Sequence, residues 1–188
     1  MKEVRHDLFS VPGARAVCIT TNGLVKRNGE AVMGAGLAKI ALQKFPTLDY
    51  SLGDAINTLG NHVHVLTMPS LQGPILPLRP GEHLPYHIIS FPTKRSHDVI
   101  APGKTNVLPY YRESVGQVGQ RAAGYKFYSP IELIVESAHE LVTTVNATEW
   151  NIVALPRPGC GKGGLSWESD VRPLLSSVLD DRFIVCTP

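Results

Sequence analysis

The chain has 188 residues, 43% hydrophobic and 18% charged, with a formal net charge of +2. That composition excludes a disordered segment, no apolar run reaches the roughly 20 residues of a membrane span, and the small charge does not demand a nucleic-acid partner. Cys18, Cys160 and Cys186 are odd in number and far apart, which argues against a disulfide framework and for a reducing, cytoplasmic setting.

The N-terminal MKEVRHDLFSVPGA lacks the apolar stretch of a secretory signal, and EVRHDLF reads as a weak strand. AVCITT (16–21) reads as a strand, and LAKIALQKF (37–45) as a helix that follows a glycine pair and stops at Pro46. VHVLTM (63–68) and YHIISF (86–91) are further strands, nearly continuous apolar runs of the kind covered on both faces. Residues 95–128 fit no regular order. A stretch that long forms a lid, an insertion or a specificity element, and LPYYRESVGQVGQRAA (108–123) offers it a short helix weakened by Gly116 and Gly119.

The best helix signal spans 130–145, with Ile131, Ile134, Val135, Ala138, Leu141, Val142 and Val145 on one face. Ser129 and Glu132 are expected to form its capping box, with Pro130 at the first helical position. NIVAL (151–155) and RFIVCT (182–187) are strands. Between them a helix over 167–180 places Val171, Leu174, Leu175 and Val178 on one face and becomes regular near Asp170, where Pro173 fits the first turn. Alternating strands and helices predict a single α/β domain over 1–188.

PRPGCGKGGLSW (156–167) satisfies G-x-G-x-x-G at Gly159, Gly161 and Gly164, but one strand alone follows it, which excludes a dinucleotide-binding unit. A P-loop needs Gly at 156 and Ser or Thr at 163, where the chain has Pro156 and Gly163. Cys160 has no base nearby in sequence and reads as a small buried thiol rather than a nucleophile. His62 and His64 share a strand face without further ligands at metal spacing, so no metal is expected. AVMGAGLAKIA (31–41) is a second glycine turn that opens a helix. Two such loops offer unpaired backbone N–H groups at two helix N-termini, each suited to one phosphate, and a pyrophosphate is their natural common ligand. The alternative is that both are only turns and caps.

ITTNG, AVMGAGLA, FPTK and LPRPGCGKGGLSWE, in that order, resemble the macrodomain family, the ADP-ribose-binding fold. FPTK with PGCGKGGLSW is most similar to the branch of DarG-type antitoxin macrodomains and terminal ADP-ribose glycohydrolases. The resemblance implies a three-layer α/β/α sandwich around a mixed sheet of about six strands. It implies an enzyme that removes ADP-ribose from ADP-ribosylated DNA or protein; no cofactor is expected, and a monomer is assumed. Asp7, beside Leu8, matches the aspartate that accepts the adenine amino group, with His6 where the family has Gly. Asn22 matches an asparagine near the distal ribose. Met33, Gly34, Ala35, Gly36 and Leu37 match the first phosphate loop. Pro158, Gly159, Cys160, Gly161, Lys162, Gly163, Gly164 and Leu165 match the second. Lys94, after Thr93, matches the branch's catalytic nucleophile, an amine whose pKa burial and Arg95 would both lower. Gly163 stands where protein-directed relatives carry an aspartate and DNA-directed ones a glycine. Trp167 is expected to anchor the last helix. A non-catalytic ADP-ribose reader and a hydrolase of free ADP-ribose derivatives share the same pocket.

Overall fold

The structure, a computed structural model, describes residues 1–66 and 87–187. Thr67, Met68 and Tyr86, at the ends of two expected strands, lie outside them. In chain order the elements are β1 (Lys2–Arg5), β2 (Ala16–Asn22), α1 (Gly36–Lys44), α2 (Leu48–Leu59), β3 (His64–Leu66) and β4 (His87–Lys94). There follow β5 (His97–Val99), β6 (Arg121–Ala123), α3 (Ile131–Asn146), β7 (Val153–Leu155), α4 (Arg172–Val178) and β8 (Phe183–Thr187).

Six strands form one mixed sheet in the order β1-β8-β7-β2-β4-β3. All neighbours are parallel except β3, which runs antiparallel to β4. The period-two alternation of the strands sorts their side chains into two cores. Val17, Ile19, Ile88, Ala154 and Cys186 face Ala38, Ala41, Leu48 and Leu52 of α1 and α2. Ala16, Cys18, Ile89, Phe91, Leu155 and Val185 face Ile134, Ala138 and Leu141 of α3 and Leu175 of α4. The three-layer α/β/α sandwich is therefore present, with the expected six-stranded mixed sheet. No helix among the described residues is long and apolar enough to cross a membrane.

Two local expectations need correction. Ser129 does not cap α3: the N-cap is Pro130, with no side-chain cap hydrogen bond, while Ser129 N donates to Gly163 O at 2.9 Å. Packing against the glycine loop has displaced the capping box. The last helix begins as a π-helical turn, Trp167–Val171, before α4, with Pro173 in the first turn of α4 where no N–H is needed.

Residues 95–128 form no long helix. β5 and β6 pair antiparallel, and short 3₁₀ turns connect them to a core of their own, Ile100, Val107, Val115 and Phe127. The segment is a small packed insertion.

Candidate functional site: a crevice between two glycine loops

β2 and β7 are adjacent and parallel, but the chain leaves them toward opposite faces. After β2 it runs to α1 on one side; after β7 it runs to α4 on the other. A crevice opens at the carboxyl ends of parallel strands where connections diverge in this way. The loop before α1 and the loop after β7 line it and meet across it: a Cβ on Gly36 would lie 3.9 Å from Lys162 Cγ.

The first loop, Met33 to Leu37, ends in a helix with no cap. Its N-cap is Ala35, which has no side-chain acceptor, and no described acceptor takes the N–H of Gly36 or Leu37. Met33 is buried in the core beneath, Gly34, Ala35 and Gly36 are exposed, and a Cβ on Gly34 would meet nothing within 4 Å. Gly36 has φ 57°, which disfavours any side chain.

The second loop is built differently. Pro158 and Gly159 are buried; Cys160 and Leu165 are half-buried. The N–H groups of Cys160, Gly163, Gly164 and Leu165 bond within the loop, to Arg157, Cys160, Gly161 and Gly159. Those of Gly161 and Lys162 donate to no described residue. The helix behind the loop is already capped: Ser166 Oγ accepts from Ser169 N, and Asp170 accepts from Ser166 N. The expectation of two free helix N-termini is thus corrected. One loop offers a helix end; the other offers the tight turn Gly161–Gly163.

Lys94 closes one end of the crevice. The β2–β4 register slips between Thr21 and Asn22, so that Asn22 pairs with Lys94 and Thr93 is the extra residue of a bulge. Bulges re-aim side chains. Buried Thr93 donates its hydroxyl to Thr21 O, and the Lys94 side chain turns under the second loop, only 7% exposed. Its Nζ donates to Tyr125 O (3.2 Å), Phe127 O (2.7 Å) and Lys162 O (3.0 Å). Burial lowers its pKa to about 8. Arg95 takes no part, contrary to expectation: its guanidinium is exposed and pairs with Asp98.

Asn22 is half-buried and holds the loop together, donating Nδ2–H to Val32 O and accepting from Leu24 N. Asp7 lies past the carboxyl end of β1, exposed, one oxygen accepting from Ser10 Oγ at 2.8 Å, with Leu8 buried behind it. Trp167 anchors the start of the last helix, buried, its indole N–H donating to Glu3.

Three residues at this end were not read from the sequence as part of the site. Asn61, from the turn after α2, donates to Lys94 O, and its Oδ1 is buried without a partner. The buried hydroxyls of Thr21 and Ser129 also have no partner among the described residues. All three sit beside Lys94 or the second loop only through long-range contacts.

Cys160 is not the buried thiol expected but half-buried, and burial raises its pKa, which disfavours a thiolate. His62 binds Glu140, and His64 binds Gly60 O. No group of three potential metal ligands occurs among the described residues. Two shallow depressions lie elsewhere, ≈ 420 Å³ beside Glu3 and Arg157 and ≈ 550 Å³ beside His62 and Glu140. Neither combines unpaired backbone N–H groups with a buried amine, so volume is a poor guide here.

No family model matches the sequence, and no curated protein matches it significantly. Solved structures do. The macrodomain of Mycobacterium tuberculosis DarG aligns with a TM-score of 0.66 at 21% identity, over 100% of this chain and 97% of that one. The macrodomain of Thermus aquaticus DarG gives 0.61 at 21% identity, over 100% and 97%. This chain has the macrodomain fold. Thermosipho africanus DarTG in complex with ADP-ribose gives 0.63 at 20% identity, over 94% of this macrodomain and 39% of that longer chain.

Proposed function

We propose that this macrodomain is an ADP-ribosyl hydrolase that removes ADP-ribose from a modified macromolecule, DNA or protein, with Lys94 as nucleophile. The observation that carries the reading is a crevice with N–H groups on both walls that no described residue accepts, and a buried amine at one end. The ADP-ribose bound in the similar Thermosipho africanus DarTG supports the ligand. The diphosphate lies between Met33–Leu37 and Gly159–Gly164. Adenine donates its amino group to Asp7, and the distal ribose lies near Asn22 and Lys94.

Neutral Lys94 attacks the anomeric carbon. The new C–N bond forms as the bond to the modified group breaks; that group leaves with the electron pair and takes up a proton. Water then adds to the carbon, the C–N bond breaks, and the net reaction consumes one water and frees ADP-ribose. An amine is reactive only when unprotonated, so a pKa of about 8 in place of the usual ~10.4 supplies far more nucleophile near neutrality. The fixed loops contribute orientation.

One observation favours a second reading, a non-catalytic reader. All three protons of the Lys94 ammonium are accepted by carbonyls, so the resting amine presents no lone pair and must leave at least one acceptor before it attacks. Release of ADP-ribose from thymidine-modified single-stranded DNA and glutamate-modified protein separates the readings. Wild type is expected to turn over one of them; Lys94→Ala is expected to bind ADP-ribose and lose at least a hundredfold in turnover (roughly the scale of losing a nucleophile). Wild-type binding without release from either substrate would establish the reader instead.

A further inference from the structure

β4 outruns its outer neighbour. β3 pairs with it only at Ile88, Ile89 and Ser90, so residues 91–94 have no described strand on that side. The ladder on the other side is irregular, because Thr93 is the extra residue of the bulge. One side chain reaches the bare end. Asn61 Nδ2 donates to Lys94 O at 3.1 Å, and from the β2 side Gly23 N donates to the same oxygen at 3.2 Å. Asn61 also lies against the backbone of Gly23, where a Cβ would fall 2.7 Å from Asn61 Cγ.

The turn that carries Asn61 is fastened on every side. Fully buried Ser90 accepts from His64 N at 2.9 Å and donates to His62 O at 3.2 Å. His64 Nε2 bonds Gly60 O at 2.8 Å. From α3, one oxygen of Glu140 takes His62 Nδ1 at 2.6 Å and the other takes Val63 N at 2.8 Å. These bonds bracket Asn61, so its amide stands on a fixed base. Its Oδ1, by contrast, is buried with no partner among the described residues. An unpaired buried acceptor lowers stability. What the side chain accomplishes is therefore to be read at its other end, on the carbonyl of Lys94.

We propose that Asn61 is a positioning residue for Lys94: it pins the peptide from which the amine pivots. The proposal rests on Lys94 being the nucleophile and deepens that reading. The ammonium has to quit at least one of its three carbonyl acceptors before the amine attacks, and a side chain that swings to a target needs a backbone that stays still. Orientation supplies a large part of such a rate, and a misplacement of about 1 Å can cost about a hundredfold. Asn61 acts through Lys94 alone.

The test compares wild type with Asn61→Leu, which keeps the volume and removes both the donor and the unpaired oxygen, and with Asn61→Ala, which removes them without bulk against Gly23. ADP-ribose affinity is measured by calorimetry. kcat and KM are measured for release of ADP-ribose from the modified DNA or protein that wild type turns over. Without substrate, exchange of the Lys94 ammonium protons with water is followed by the 15N NMR signal of Nζ that Lys94→Met lacks. Both variants are expected to keep ADP-ribose affinity and KM within about twofold, while kcat falls about tenfold and proton exchange quickens at least about threefold. A fold merely loosened would lose affinity and kcat together, and that result would overturn the proposal. So would an unchanged kcat, unchanged exchange, or loss of the fold in both variants. Wild type that releases no ADP-ribose overturns the hydrolase reading by itself, before any variant is made, and the exchange rates then decide alone whether Asn61 holds Lys94.

Discussion

The two glycine loops look alike in sequence and differ in cause. In the first, glycine leaves room: a Cβ at Gly34 meets nothing within 4 Å, and one at Gly36 meets only Lys162 Cγ at 3.9 Å. In the second, glycine is mostly a packing requirement. A Cβ on Gly159 would lie 2.3 Å from Ile134 Cδ1, one on Gly163 2.4 Å from Ser129 Oγ, and one on Gly164 2.6 Å from Tyr128 Cδ1. Gly161 alone in that loop opens onto free space, and its positive φ gives it a second reason. A glycine motif therefore merges two requirements, a backbone close to a ligand and a backbone close to the protein's own core, which only neighbours in space can separate.

The largest expected effect tests the packing side. Gly159→Ala places a methyl against Cδ1 of Ile134, which is fully buried, at φ 73°. Overpacking and a left-handed backbone together cost about 3 kcal/mol. Urea unfolding is expected to show that loss with ADP-ribose absent. A change below about 0.5 kcal/mol would mean that Ile134 yields and that the second loop is as open as the first.

A smaller effect tests what fastens the second loop. Lys94 donates to Lys162 O, and burial and the carbonyls act on its charge in opposite directions. If burial dominates, the folded-state pKa is about 8 against about 10.4 unfolded. Below pH 8 both states carry the proton and the cost of burying it is fully present. Between about 8 and 10.4 the unfolded chain binds more protons, so stability rises with pH. The difference in unfolding free energy between wild type and Lys94→Met is therefore expected to move in favour of wild type from pH 7 to pH 10. Turnover, if the free amine is the nucleophile, is expected to rise through pH 8 and level off. Movement of the stability difference in the other direction would show the carbonyls holding the ammonium more strongly than burial expels it.

What the sequence made legible follows the same division. Strand runs and the α1 and α3 patterns are local and periodic, and the α/β class and the Lys94 strand end could be read from them, while the three layers and the mixed sheet of about six strands came from the resemblance. α2 went unread although Leu48, Leu52 and Ile56 have helical spacing. Pro46 ends the preceding helix, Thr47 takes the left-handed conformation at the N-cap, and Gly53 interrupts the run. Gly53 is required because a Cβ there would collide with Gly29 O, a contact made with a turn more than twenty residues away. Ser129 misled for a related reason: its spacing to Glu132 is a capping signal, yet the residue is spent on Gly163. The carbonyl hold on Lys94 depends on residues 125, 127 and 162, and no local pattern encodes it.

The smallest expected effect on stability sharpens the comparison furthest. Gly34 is exposed, has no positive φ, and its absent Cβ would touch nothing. Nothing in the fold requires glycine there. Gly34→Ala is expected to leave stability unchanged or to raise it by about 0.5 kcal/mol, because alanine restricts the unfolded chain. The same methyl stands beside the unpaired N–H groups at the start of α1, where a phosphate must come within hydrogen-bond distance of backbone. ADP-ribose affinity by calorimetry is expected to fall about tenfold, ~1.4 kcal/mol. A packing glycine gives the reverse pattern, as Gly159→Ala would: stability lost first, and affinity only through the loss of fold. If Gly34→Ala binds ADP-ribose as wild type does, the first loop is an ordinary turn before a helix, and the diphosphate has to be sought against Gly161 and Lys162 alone.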